Sequence, residues 1–222
     1  MALIRPGILR DTLARGHTIG GHTWSHPNLR RAGLARSKRE IGKGFAALEA
    51  VIGPRVAPLF RFPYLAESKK TLAYVKSQDI ASISIDIDSG DTRGYGVSRV
   101  ISSTMAQLRR RGRGILLFHD SKLVTVRALP QILNRLAKGG YRVVHLETTS
   151  PHRADSDLVA RYRRRLDGTP EPKTKTRKPK VAKGLRKTVT ASQRAQPKPK
   201  KRPSSSIGRS STDWRSSVFG TQ

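Results

Sequence analysis

Cysteine is absent from the 222 residues. That removes disulfides, thiolate metal ligands and a Cys nucleophile together. Acidic residues are scarce: 15 Asp and Glu stand against 45 Lys and Arg, a formal charge of +30. Such a balance favours polyanionic partners such as nucleic acid, acidic lipid headgroups or anionic wall polymers. It carries no information about fold. Residues 151–222 hold 20 basic and 5 acidic side chains, and the first 150 residues hold 25 and 10. The tail is therefore about twice as densely charged as the rest. No apolar run approaches the roughly 20 residues that span a bilayer. The first nine residues are only mildly apolar, Arg5 and Pro6 interrupt them, and no small-residue cleavage site follows. As written, the sequence reads as an unexported cytoplasmic chain. An export signal or an envelope location is the expectation only for a chain that begins further upstream.

What is present is a regular alternation of helix and strand patterns. Residues 7–15 read as a helix with Ile8, Leu9, Thr12 and Leu13 on one face, stopped by Gly16. A short strand over 17–21 follows, then a loop to Asn28. Residues 36–51 read as a second helix, with Ile41, Phe45, Leu48 and Ile52 at helical spacing and Gly53-Pro54 ending it. Strands are expected at 58–62, 80–88, 114–119 and 141–146, and helices at 68–77, 97–111 and 126–138. The 114–119 run is continuously apolar, as in a strand buried on both faces. These spacings suit βαβ crossovers, so an α/β barrel and a doubly wound sheet both fit. In either, polar residues at the C-terminal ends of the strands build the site.

Four successive strand ends deliver ionisable groups: His22 and His26, then Arg61, then Asp86, Asp88 and Asp91, then His119 and Asp120. Together they make a site hypothesis. His22 and His26 stand four apart, a spacing that lets two imidazoles reach one zinc-like ion. Asp86 and Asp88 fit helix capping or loop solvation equally well. His17, His145 and His152 read as structural, and Asp120 has no assigned role.

At this point a resemblance becomes specific. Gly-His-Thr-Ile-Gly-Gly-His-Thr-Trp-Ser-His-Pro-Asn-Leu, residues 16–29, resembles the H-[ST]-x-x-H motif of polysaccharide deacetylases, the NodB-type carbohydrate esterases. Arg61-Phe62-Pro63-Tyr64 resembles their R-x-P-[YF] motif. Asp88-Ser89-Gly90-Asp91 resembles D-x-x-D-W, with Thr92 in place of tryptophan, and Leu116-Leu117-Phe118-His119 resembles L-x-x-H. The likeness covers roughly residues 7–149. It implies an irregular (β/α) barrel and removal of acetyl groups from N-acetylglucosamine units in chitin oligomers or peptidoglycan, or of O-acetyl groups from xylan. It also implies roles. His22 and His26 would hold a divalent metal, usually zinc. Arg61 would orient a catalytic carboxylate. The Tyr64 backbone N–H would stabilise the oxyanion. His119 would be the general acid, Asp91 would pair with it, and Leu116 would line the pocket for the acetyl methyl.

The family's first motif, T-F-D-D-G-P, supplies the general base and the third metal ligand, and this sequence contains no Asp-Asp pair. The expectation is an incomplete barrel over 1–150, lacking that first strand and motif, with one strand edge unpaired. Its activity is expected to be low or absent, since a general base is worth roughly 10²–10⁴-fold. Residues 151–222 are expected to be a disordered basic tail with a short basic helix at 155–166, because the Lys/Arg/Pro/Ser/Thr-rich remainder buries too little surface to offset its chain entropy. Two alternatives to the deacetylase follow: an inactive relict, and a polyanion or nucleic-acid binder acting through the tail. No aromatic residue interrupts the basic run 172–203, so base stacking and sequence specificity are not expected there.

Overall fold

The structure, a computed structural model, describes residues 2–170. The disordered-tail expectation for 171–222 lies outside the described residues. Helix α1 (Pro6–Ala14) precedes the long α2 (Leu34–Ile52). Strand β1 (Leu59–Phe60) runs into a single 3₁₀ turn at Pro63–Leu65. Then come α3 (Lys69–Ser77), β2 (Ala81–Ser82), β3 (Ile87–Asp88), α4 (Val97–Arg111), β4 (Leu116–Leu117), α5 (Leu123–Lys138) and α6 (Ser156–Leu166). The expected helices are all present, each shifted by no more than three residues at its start. Their ends follow local chemistry. Ser68 and Thr71 form a reciprocal capping box on α3. Gly112, at φ 75°, closes α4 in the left-handed conformation.

The sheet departs from expectation. It consists of two parallel pairs, β1 with β2 and β3 with β4, registered Leu59 to Ala81 and Ile87 to Leu116. The expected strand 17–21 reduces to one parallel bridge, Gly21 to Phe60. The expected strand 80–88 breaks into β2 and β3, because Ile83 and Ile85 line an open cleft instead of packing under a helix. Residues 141–146 form no strand. Val143 and Val144 are 76% and 70% exposed, so no burial holds them extended. The segment is tied down by Thr18 instead, whose hydroxyl contacts His145 Nε2 and Leu146 O, both at 2.6 Å. Residues 114–119 are not buried on both faces either. Ile115 is 42% exposed and Leu116 and Leu117 are half-buried, since one face looks into the cleft.

Two cores hold the helices. Ile41, Phe45 and Ile52 of α2 pack with Leu29, Phe60 and Val75. Val100, Met105 and Leu108 of α4 pack with Ile87 and with Ala128 and Ile132 of α5. A third cluster lies partly beyond residue 150. Val159 and Tyr162 of α6 are buried against Ala46 and Ala47 of α2, so the order extends past 150. The helix forms there because Asp155 caps its N-terminus at 2.9 Å, Asp157 sits in the first turn and Arg163–Arg165 in the last, matching the helix dipole.

Candidate active site

The histidine loop begins where Gly21 meets β1. Gly21 N–H donates to Leu59 O at 2.7 Å, and Arg61 N–H donates to Gly21 O at 3.1 Å. This pairing sets His22 beside Arg61, and His22 Nδ1 donates to Arg61 O at 2.6 Å. A carbonyl only accepts, so Nδ1 carries the proton and Nε2 is left bare. The loop then turns through two left-handed residues, Thr23 at φ 68° and His26 at φ 57°. Such conformations are uncommon for residues with a Cβ and cluster at functional sites. The turn brings the two imidazoles to 4.9 Å between ring centroids, edge to face at 74°. Tyr64, also left-handed at φ 58°, sets its ring 4.8 Å from that of His26.

The second group of side chains comes from the other strand pair. Asp91 is 3% exposed and lies at the end of the β3 loop. Its carboxylate accepts from the His119 backbone N–H at 2.6 Å, from His119 Nδ1 at 2.9 Å and from the Thr125 hydroxyl at 2.6 Å. Burial alone would raise the Asp91 pKa, but the hydrogen bonds from Thr125 and His119 outweigh it and hold the carboxyl below its ordinary value. An ionised Asp91 makes Nδ1 of His119 the donor and leaves Nε2 for chemistry.

The two groups are linked electrostatically, and the first lines a cleft. His22, Arg61 and Leu116 share the wall of an opening of about 400 Å³. Burial pushes the His22 imidazole down to about 4, and positive charge on Arg61, His26 and His119 pushes the same way. His26 is lowered too, by burial first and then by Arg61 and His119. Burial also lowers Arg61. The structure thus brings His22, His26, Arg61, Tyr64 and Leu116 together, with the Asp91–His119 pair close enough to act electrostatically on both loop histidines. Neutral imidazoles are the form that binds metal. Among the described residues, however, no group of three or more His, Cys, Asp or Glu side chains could hold an ion. The two histidines therefore fit part of a metal site, and no carboxylate forms an ion pair with Arg61 among the described residues.

The remaining suspects serve the scaffold. Asp86 accepts from Ile115 N–H at 2.8 Å, and Asp88 accepts from Gly90 N–H and pairs with Arg93. His145 meets Thr18, and the His152 ring packs 4.2 Å from Phe45. Three contributors escaped the sequence reading. Thr125 anchors Asp91. Glu40 accepts from Ser25 N–H and Oγ–H at 2.8 and 2.9 Å. Tyr162 stacks on Trp24. None of the three left a signal in the sequence, since each acts through a contact with a residue distant along the chain.

Comparison with known proteins matches this geometry to a lineage. The family model described as polysaccharide deacetylase matches residues 2–83, the stretch holding His22, His26, Arg61 and Tyr64. The Bdellovibrio bacteriovorus peptidoglycan deacetylase superposes with a TM-score of 0.62 at 31% identity, covering 68% of this chain and 42% of that one. Over these residues the chain is similar to the polysaccharide deacetylase family. A chitooligosaccharide deacetylase of Bradyrhizobium sp. (strain ANU 289) is 27% identical over 153 residues, 63% of this chain and 69% of that protein. A second, from Azorhizobium caulinodans, is 30% identical over 115 residues, 52% of this chain and 54% of that protein. The chain thus spans about half the length of two of these three relatives. The mixed α/β fold is that of the family 4 carbohydrate esterases.

Proposed function

We propose that the chain carries the site of a metal-dependent deacetylase that removes acetyl groups from N-acetylglucosamine in chitooligosaccharide or peptidoglycan-type polymers. One observation carries this reading: His22 and His26 stand 4.9 Å apart between ring centroids with lowered pKa values, and charge on His119, the partner of Asp91, reaches both. His22 and His26 would hold a divalent metal, zinc by the family's habit. Bound there, the ion would polarise the acetyl carbonyl and lower the pKa of a water to about 7.

The chain's own residues supply the rest. His119, held through Nδ1, would protonate the leaving amine from Nε2 as general acid. Asp91 would fix the tautomer and orientation of that ring. The Tyr64 backbone N–H would donate to the developing oxyanion, its direction set by the left-handed turn. Leu116 would contact the acetyl methyl, and the Arg61 guanidinium would orient a carboxylate by a charge-assisted fork. No such carboxylate, and no base for the attacking water, stands beside the histidines among the described residues. That observation favours a second reading, an inactive deacetylase fold that contacts polyanions through its basic tail.

Acetate release from chitooligosaccharide, measured with zinc present, separates the two. The deacetylase reading expects release that His119→Ala abolishes while zinc stays bound. Release surviving that change removes His119 from the mechanism. No release from the parent chain, with salt-sensitive DNA retardation lost on deleting 171–222, supports the second reading.

A further inference from the structure

Helix α6 belongs to none of the motifs, yet it reaches the histidine loop. Its approach is fixed at three points. His152 N–H donates to Val56 O at 2.7 Å, the His152 ring packs on Phe45, and Ala154 N–H donates to Glu49 Oε2 at 2.8 Å. Val159 and Tyr162 then bury themselves against α2. Beyond α2 the Tyr162 ring lies flat on Trp24, 5.2 Å between centroids and 1° between planes. Trp24 is the midpoint of the loop that joins His22 to His26.

The other side of the loop is held by α2. Trp24 N–H donates to Glu40 O at 3.0 Å, and Ser25 gives two hydrogen bonds to the Glu40 carboxylate. Two left-handed residues, Thr23 and His26, flank this midpoint. Such residues are strained, so the conformation persists only where its surroundings over-determine it. The stack with Tyr162 is one of those surroundings and the only ring stack on Trp24 among the described residues.

We infer that α6 is a clamp on the histidine loop, with Tyr162 a positioning residue that keeps His22 and His26 in one geometry through Trp24. The clamp rests on contacts alone. Its consequence for metal rests on the ligand role proposed for the two histidines.

The test uses the full chain with Tyr162→Ala and Tyr162→Phe. Amide exchange at Trp24 and Ser25 is measured without metal, and zinc affinity by competition with a chromophoric chelator. Tyr162→Ala is expected to speed exchange at those two amides while α4 and α5 stay unchanged. It should also weaken zinc binding about tenfold, the low end for a ligand's supporting partner. Tyr162→Phe keeps the stack and should restore both. Unchanged exchange at Trp24 and Ser25 in Tyr162→Ala overturns the clamp. So does faster exchange throughout the chain, or a Tyr162→Phe protein as impaired as Tyr162→Ala. If the parent chain binds no zinc but the two amides respond as expected, the clamp stands and the ligand role falls.

Discussion

Asp91 grips His119 twice, at its backbone N–H and at its ring Nδ1, from a side chain almost wholly removed from solvent. A single carboxylate therefore fixes both where the histidine sits and which way its ring faces. Thr125 supplies the third bond, to the same oxygen that accepts the His119 backbone N–H.

This arrangement makes stability depend on acid pH with a definite sign. The folded Asp91 pKa lies below its unfolded value of about 3.9, so its contribution is complete above that value. It disappears as pH falls through the folded pKa. Asp91→Ala should lower stability by about 1–3 kcal/mol at neutral pH, the usual cost of leaving buried partners unmatched. Thermal melts at pH 7 and below pH 4 check this: the gap between parent and variant should narrow in acid.

His22 acts over a higher window. Its folded pKa near 4 lies below the unfolded value of about 6.5, so the unfolded chain takes up the proton first. Stability should fall as pH drops from about 6.5 towards 4. In His22→Gln that slope should be shallower. A nuclear magnetic resonance titration should place the His22 midpoint near 4.

The family motifs were legible because each combines a fixed spacing with a chain turn-off: Arg61 and His119 follow β1 and β4, and His22 and His26 follow the single bridge at Gly21. The helices were legible from apolar periodicity, as with Ile41, Phe45 and Ile52. The sheet was not. Ile85, Val143 and Val144 carry strand propensity, but a strand exists only where a neighbour takes its backbone bonds, and propensity does not report the neighbour. Tyr162 was hidden for a different reason. It sits in a basic stretch 138 positions after Trp24, and only docking on α2 brings the two rings together.

Two glycines of α2 offer a paired test of how closely the loop is packed. A Cβ at Gly44 would lie 2.9 Å from the Thr23 carbonyl carbon, whereas a Cβ at Gly42 meets nothing within 4 Å. Gly44→Ala should destabilise by about 1–3 kcal/mol and weaken zinc binding as the loop is pushed away. Gly42→Ala should stabilise by up to about 1 kcal/mol through helix propensity alone. Melting temperatures of the two variants, expected to move in opposite directions, are the check.

Two side-chain groups from different strand pairs lie close enough for His119 to act on both loop histidines, and paramagnetic cobalt reads that proximity directly. In histidine ring spectra of the full chain, added Co²⁺ should broaden His22 and His26 strongly and shift His119, while His17, His145 and His152 keep their positions. A His119 signal untouched when the loop histidines broaden, or broadening centred on His17, His145 or His152, would contradict this arrangement.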